Sequence, residues 1–143
     1  MYRSRRQVAM TVLVAGLAGA VGGGSAMSGK ADPLFINLTS DDGHRIDMAF
    51  NFGGNQLKRG HALTVFMNDR AVFAASKAKA EKYAEQQKTI ASLLEAGATI
   101  LVCPMCMKHY GVAESDLLPG LKVGNPELTG SALFADNTRT LTW

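Results

Sequence analysis

Thr99-Ile100-Leu101-Val102-Cys103-Pro104-Met105-Cys106-Met107-Lys108-His109-Tyr110-Gly111 sets an apolar run, a cysteine, a proline and a closing glycine in that order. The run Thr99–Val102 reads as a buried strand. Pro104 suits the first position of a helix, where its missing N–H costs nothing, and Gly111 suits the left-handed residue that stops one. Both cysteines of the chain lie here. Cys103 then takes the N-cap position, with its sulfur in reach of the orphan N–H groups of Met105 or Cys106. A helix dipole favours negative charge at that end, so a thiolate, the nucleophilic form of cysteine, would be stabilised. Cys106 lies one turn further, placed as a resolving thiol.

The same grammar extends outward from this turn. Leu34–Thr39 reads as a buried strand with a helix start at Asp41-Asp42-Gly43. Ile46, Ala49, Phe50, Gly53 and Leu57 recur at helical spacing as far as Gly60, a C-terminal cap. Leu63–Met67 is a second strand, ending at the turn-prone Asn68-Asp69. From Lys79 to Ala96 the stripe Tyr83, Gln87, Ile90 and Leu94 predicts a second helix, stopped at Gly97. Beyond Gly111, Leu121–Val123 is a short fourth strand, Asn125-Pro126-Glu127 starts a helix running to about Phe134, and Arg139–Trp143 is a fifth strand.

Short apolar strands alternating with amphipathic helices predict a three-layer α/β/α domain with a mostly parallel sheet of about five strands, covered on both faces. In such sheets ligands gather beyond the carboxyl ends of the strands. The segments Ser40–His44, Asn68–Val72 and Cys103–His109 are therefore expected to share one crevice.

The chain has 143 residues, 47% hydrophobic and 19% charged, which fits one globular domain and excludes a disordered chain. Its formal charge of +3 is unevenly placed. Residues 1–31 hold Arg3, Arg5, Arg6 and Lys30 and no acid, so the remainder, with eleven basic and twelve acidic residues, is −1. A nucleic-acid partner is not expected.

The basic segment has its own logic. An n-region ending at Arg6 precedes an apolar stretch, Val8–Gly22, and then the small residues Gly23, Gly24, Ser25 and Ala26, the order of an export signal. As a helix the fifteen apolar positions would span roughly 22 Å, short of the roughly 30 Å hydrocarbon core, so no stable membrane anchor is expected. Ser4-Arg5-Arg6-Gln7-Val8 resembles the twin-arginine motif. Residues 1–31 are thus expected to be a signal peptide, cleaved after Ala26 or Ala31, with the domain at 32–143 and a periplasmic location.

Three uses of the cysteine pair compete with a structural one, two small buried thiols or a disulfide whose tiny loop would remove little chain entropy. Thioredoxin-like exchange fits Cys-x-x-Cys, but two strand–helix units precede the motif, whereas a thioredoxin-like motif follows an early strand. A soft-metal (copper) module would use Cys103 and Cys106 with Met105, Met107 or His109. A structural zinc would require His44 or His61 as a further ligand.

The third use comes from a resemblance. The strand ending in Cys103, then Cys106, Gly111-Val112 and Leu117-Leu118-Pro119-Gly120, resembles the DsrE/DsrF/TusD-like sulfur-relay family. The exit Ser40-Asp41-Asp42 and the turn Asn68-Asp69-Arg70-Ala71-Val72 match the same pattern, so the similarity spans Leu34 to Trp143. Its Cys-x-x-Cys pair is similar to that of the YchN-like branch. The resemblance implies that Cys103 carries sulfane sulfur as a persulfide and that partners are donor and acceptor proteins with reactive thiols. It further implies a homotrimer or homohexamer without a cofactor. Cys103 and Cys106 are therefore the candidate catalytic residues, and a noncatalytic oligomeric scaffold is the remaining alternative.

Other residues have plainer readings. Asp41 and Asp42 are expected to cap the first helix. His109 sits in the last turn of the cysteine helix, where a cation is favourable, and His44 and His61 are expected at helix ends on the surface. Lys77, Lys79, Lys82 and Lys88, interleaved with Glu81 and Glu85, read as a solvated helix face. Gly53-Gly54 lacks both the spacing and the lysine of a phosphate loop.

Overall fold

The computed structural model describes residues 31–143, so the export reading of residues 1–30 lies outside the described residues. Five strands, β1 (Leu34–Leu38), β2 (Leu63–Met67), β3 (Thr99–Val102), β4 (Lys122–Val123) and β5 (Arg139–Thr142), form one sheet in the order β4-β3-β2-β1-β5. Every pairing is parallel, in registers such as Leu34↔Leu63, Thr64↔Thr99 and Leu34↔Arg139. Four helices connect them: α1 (Gly43–Lys58), α2 (Ala80–Glu95), α3 (Pro104–Tyr110) and α4 (Pro126–Leu133).

The strand order dictates which face each helix covers. The chain steps β1 to β4 in one direction, and right-handed crossovers put the connecting helices on one face. Ile36, Val65, Ile100 and Val102 meet Ala49 and Phe50 of α1, Ile90 and Leu93 of α2 and Met107 of α3 in one buried core. Each fully buried side chain of this size contributes about 1.5–3 kcal/mol. The last crossover runs back across the whole sheet, so α4 lies on the opposite face, where Gly124 at its entrance sits against Phe66. The second face is therefore covered by a single eight-residue helix with no buried residue of its own. All four residues of β5 are exposed.

The elements follow their local signals. Asp42 caps α1, accepting a hydrogen bond from Arg45 N–H at 2.9 Å, and Asn125 caps α4 through Leu128 N–H at 2.7 Å. Helix α1 closes at Arg59, and Gly60 follows in the left-handed region at φ +95°. Gly53 permits the close approach of α1 to the sheet, since a Cβ there would stand 2.9 Å from Ile36 Cδ1.

Two expectations require correction. The buried stripe of α2 is Tyr83, Gln86, Ile90 and Leu93, not Tyr83, Gln87, Ile90 and Leu94. Both stripes have regular helical spacing, and α2 also carries a kink at Tyr83 (φ −119°, ψ 23°). Gln87 instead donates to Ser76 O at 2.8 Å, and Leu94 packs at the core margin. Residues Asp69–Phe73, expected only as a turn, form a 3-10 helix.

Candidate functional site

Helix α3 begins directly off β3. Cys103 N–H donates to Met67 O at 2.9 Å, extending the ladder by one residue, and its backbone then turns (φ −69°, ψ 116°) into the N-cap of α3. Its sulfur accepts from Cys106 N–H at 3.3 Å. That is the capping bond anticipated at this position, and it turns Cys106 inward. The two sulfurs stand 2.7 Å apart as unbridged thiols, with Cys106 Sγ donating to Cys103 Sγ. Gly111, at φ +70°, ends the helix in the left-handed conformation that spares a Cβ clash.

The neighbouring turn completes the site. Asp69 N–H donates to Cys106 Sγ at 3.1 Å, and Asp69 adopts φ +46°, unusual for a residue other than glycine. Its carboxylate accepts the Tyr110 hydroxyl at 2.5 Å, which joins the end of α3 to the turn after β2. Burial pushes the Cys106 thiol above its ordinary value, and the hydrogen bond to Cys103 adds to this, while the Asp69 N–H pulls the other way. Cys106 thus holds its proton more firmly than an ordinary thiol. The Tyr110 hydroxyl is likewise pushed up, chiefly by its bond to Asp69.

The two sulfurs face different surroundings. Cys103 opens on an apolar hollow of about 210 Å³, lined by Phe66, Pro104, Met105, Gly124, Pro126 and Thr129. Met105, a possible soft ligand on sequence grounds, is 81% exposed on its rim. Cys106 faces the Asp69 turn. His109 is exposed, its ring edge-on to Tyr110. Among the described residues, no group of three or more His, Cys, Asp or Glu side chains is placed to hold a metal ion, and no helix is long and apolar enough to cross a membrane.

The crevice segments converge as expected, with a different division of labour. Asp42 alone caps α1; Asp41 instead accepts Arg70 Nε and Nη2 at 2.9 and 3.0 Å and Lys82 Nζ at 3.2 Å. The Arg70 guanidinium, and then Lys82, hold the Asp41 carboxyl far below the usual carboxylate range, against the opposing effect of burial. The lysine series is exposed, as expected: Lys88 pairs with Glu85, while Lys82 also reaches Asp41 and Lys77 donates to Ser115 O. His44 is exposed on α1, as expected. His61 is half-buried, with Nδ1 2.7 Å from Asp32 O. Asp69, Arg70 and Tyr110 were not singled out by the sequence as site residues; the signal available was the position of Asn68–Val72 at a strand's carboxyl end.

The DsrE/DsrF-like family model matches residues 34–138, most of the chain and every element from β1 to α4. The chain belongs to the DsrE/DsrF-like family. Solved structures share this family member's fold. A protein of unknown function from Methanobacterium thermoautotrophicum aligns with a TM-score of 0.66 at 14% identity, covering 78% of this chain and 99% of that one. The ychN protein of E. coli aligns with a TM-score of 0.59 at 19% identity, over 77% and 99% respectively. A conserved protein of unknown function from Bacteroides thetaiotaomicron aligns with a TM-score of 0.61 at 21% identity, over 78% and 95%. Among curated proteins, none matches the chain. At these identities the structural likeness bears on fold alone, and the DsrE-like cysteine turn is argued from its own geometry.

Proposed function

We propose that this DsrE-like protein relays sulfane sulfur through Cys103, with Cys106 as the resolving thiol. Family membership supports a sulfur-relay type of function in general. The observation that carries the finer reading is the 2.7 Å separation of the two sulfurs, with Cys103 at the N-cap of α3. A thiolate is the nucleophile in such exchange, and the N-terminal end of a helix is where negative charge is favoured.

The steps balance without a cofactor. The Cys103 thiolate attacks the outer sulfur of a donor; the donor's S–S bond breaks, its electron pair departs with the donor, and a Cys103 persulfide forms. A partner's thiolate then takes the outer sulfur and returns Cys103 as a thiolate. Alternatively Cys106, once deprotonated, attacks the inner sulfur, expels sulfide and closes a Cys103–Cys106 disulfide, which a dithiol reductant reopens. The apolar hollow on the Cys103 side is the route for an acceptor thiol. On the leader reading the chain works outside the cytoplasm, in an oxidising compartment, as a homotrimer or homohexamer on the family resemblance.

Intact mass after treatment with a persulfide donor tests this. The wild type and Cys106→Ser are expected to gain about 32 Da, the mass of one sulfur, with the load persisting in Cys106→Ser. Cys103→Ser is expected to gain nothing, and equal loading of Cys103→Ser sinks the assignment.

A further inference from the structure

Beside the cysteine turn lies a recess of about 170 Å³ lined by Asp41, Arg70, Phe73, Lys79, Lys82 and Tyr83. Its charges do not balance. Asp41 is already engaged by Arg70 and Lys82, and Lys79 makes no ion pair among the described residues. Three cations from two segments, the turn after β2 and the start of α2, therefore line the recess with one carboxylate between them. The Arg70 guanidinium and the Lys79 ammonium each stand 5.8 Å from the centroid of the Phe73 ring. Cations gathered in a cleft with aromatic walls focus a positive potential there and attract an anion.

The recess borders the Asp69 turn, on the Cys106 side of the site. Arg70 directly follows Asp69, whose N–H is bonded to Cys106, and consecutive Cα atoms are about 3.8 Å apart. Phe73 lies 5.0 Å, centroid to centroid, from Tyr110, whose hydroxyl holds Asp69. Size narrows the ligand further, since pockets for drug-sized molecules run to about 300–1,000 Å³. A recess of 170 Å³ suits an ion of a few heavy atoms.

We propose that this recess binds a small divalent sulfur oxyanion of the thiosulfate type and supplies it to the adjacent cysteines as sulfane donor. The donor assignment rests on the persulfide reading above; the anion site itself does not. In the transfer the Cys103 thiolate, whose sulfur stands 2.7 Å from that of Cys106, attacks the outer sulfur of thiosulfate, the S–S bond breaks, and the electron pair leaves on sulfite. Cysteine thiolate and thiosulfate give cysteine persulfide and sulfite, with charge conserved and no outside oxidant or reductant.

The experiment separates the two claims. The double variant Cys103→Ser/Cys106→Ser, which accepts no sulfur, is titrated with sodium thiosulfate at constant ionic strength against a sodium chloride control, followed by NMR. Saturable shifts centred on Arg70, Lys79 and Lys82 are expected. Binding should weaken about threefold with added Lys79→Gln and about tenfold with Lys79→Gln/Lys82→Gln, in keeping with partly exposed ion pairs. Lys79→Gln leaves the Asp41 pairings in place, so loss of fold does not obscure the result. A response equal to that of chloride, or one indifferent to these substitutions, overturns the site. In parallel, wild-type protein is treated with thiosulfate and with an uncharged alkyl hydropersulfide, and its mass is read. Loading by the hydropersulfide without thiosulfate binding removes the recess and keeps the persulfide reading. Thiosulfate binding with no loading by either reagent keeps the anion site and overturns the donor assignment together with the persulfide reading.

Discussion

Asp69 N–H points at Cys106 Sγ from 3.1 Å, and it does so from a backbone conformation, φ +46°, that an aspartate adopts at a cost. The conformation is held from outside the turn, by the Tyr110 hydroxyl on the Asp69 carboxylate. Local strain of this kind costs about 1–3 kcal/mol and persists where surrounding contacts enforce it. Here they aim a donor at a sulfur whose thiol is otherwise pushed up by burial.

Tyr110→Phe is therefore expected to loosen the turn and to raise the Cys106 thiol further, because the Asp69 N–H is the contact that lowers it. In a Cys103→Ser background, iodoacetamide should alkylate Cys106 several-fold more slowly at pH 8 than in the same background with Tyr110 intact. The midpoint of alkylation should move to higher pH. An unchanged rate profile would show that Asp69 keeps its orientation without the tyrosine.

The raised Cys106 thiol links stability to pH. A group whose folded pKa lies above its unfolded one binds more protons in the folded state, so its contribution is intact below the unfolded value and is lost as pH rises through the folded one. Urea denaturation of the reduced protein should show stability falling above the ordinary thiol value of 9.0. Cys106→Ser should lose that part of the slope.

Asp41 carries the opposite sign. Its carboxyl is held low by Arg70 first, and a depressed pKa stabilises the fold above the unfolded value, with the gain lost as pH falls through the folded one. Asp41→Asn should cost about 1 kcal/mol at pH 7, discounted because Arg70 and Lys82 are more than half exposed. Urea curves of the two proteins should approach one another below about pH 4.

Gly111→Ala places a Cβ on a residue at φ +70°. A cost of about 1–2 kcal/mol is expected, with the loss concentrated in α3 and read as faster amide exchange at Met107 and Tyr110. Gly111→Asn should recover part of it, since asparagine tolerates the left-handed region better.

The sequence carried the order of elements and the cysteine cap because these are local. Pro104 and Gly111 bracket α3 by their own backbone preferences, and β2 and β3 declare themselves in short, mostly apolar runs. The division of work between Asp41 and Asp42 was not legible. Both are acidic residues before a helix, and only the fold brings Arg70, 29 positions later, against one of them. Asp69 was hidden for a related reason: its conformation is imposed by Tyr110, 41 residues away, and a short 3-10 segment has no hydrophobic period to announce it. The phase of α2 was not legible because Tyr83, Gln86, Ile90, Leu93 and Tyr83, Gln87, Ile90, Leu94 are both regular helical stripes, and only packing buries Gln86 and Leu93 rather than Gln87 and Leu94.

The pairing of β5 with β1 spans the longest stretch of chain among the sheet's pairings. Leu34 meets Arg139 across more than a hundred residues of intervening chain, and closing a loop of that length costs about 4 kcal/mol in entropy before any contact repays it. The strands β1, β2 and β3 join through shorter crossovers and carry the buried core, whereas all of β5 is exposed. The contacts that hold the sulfur pair come from Asp69 and Tyr110, neither of them on β5, so the pair and the strand at the sheet's outer edge are held by separate contacts.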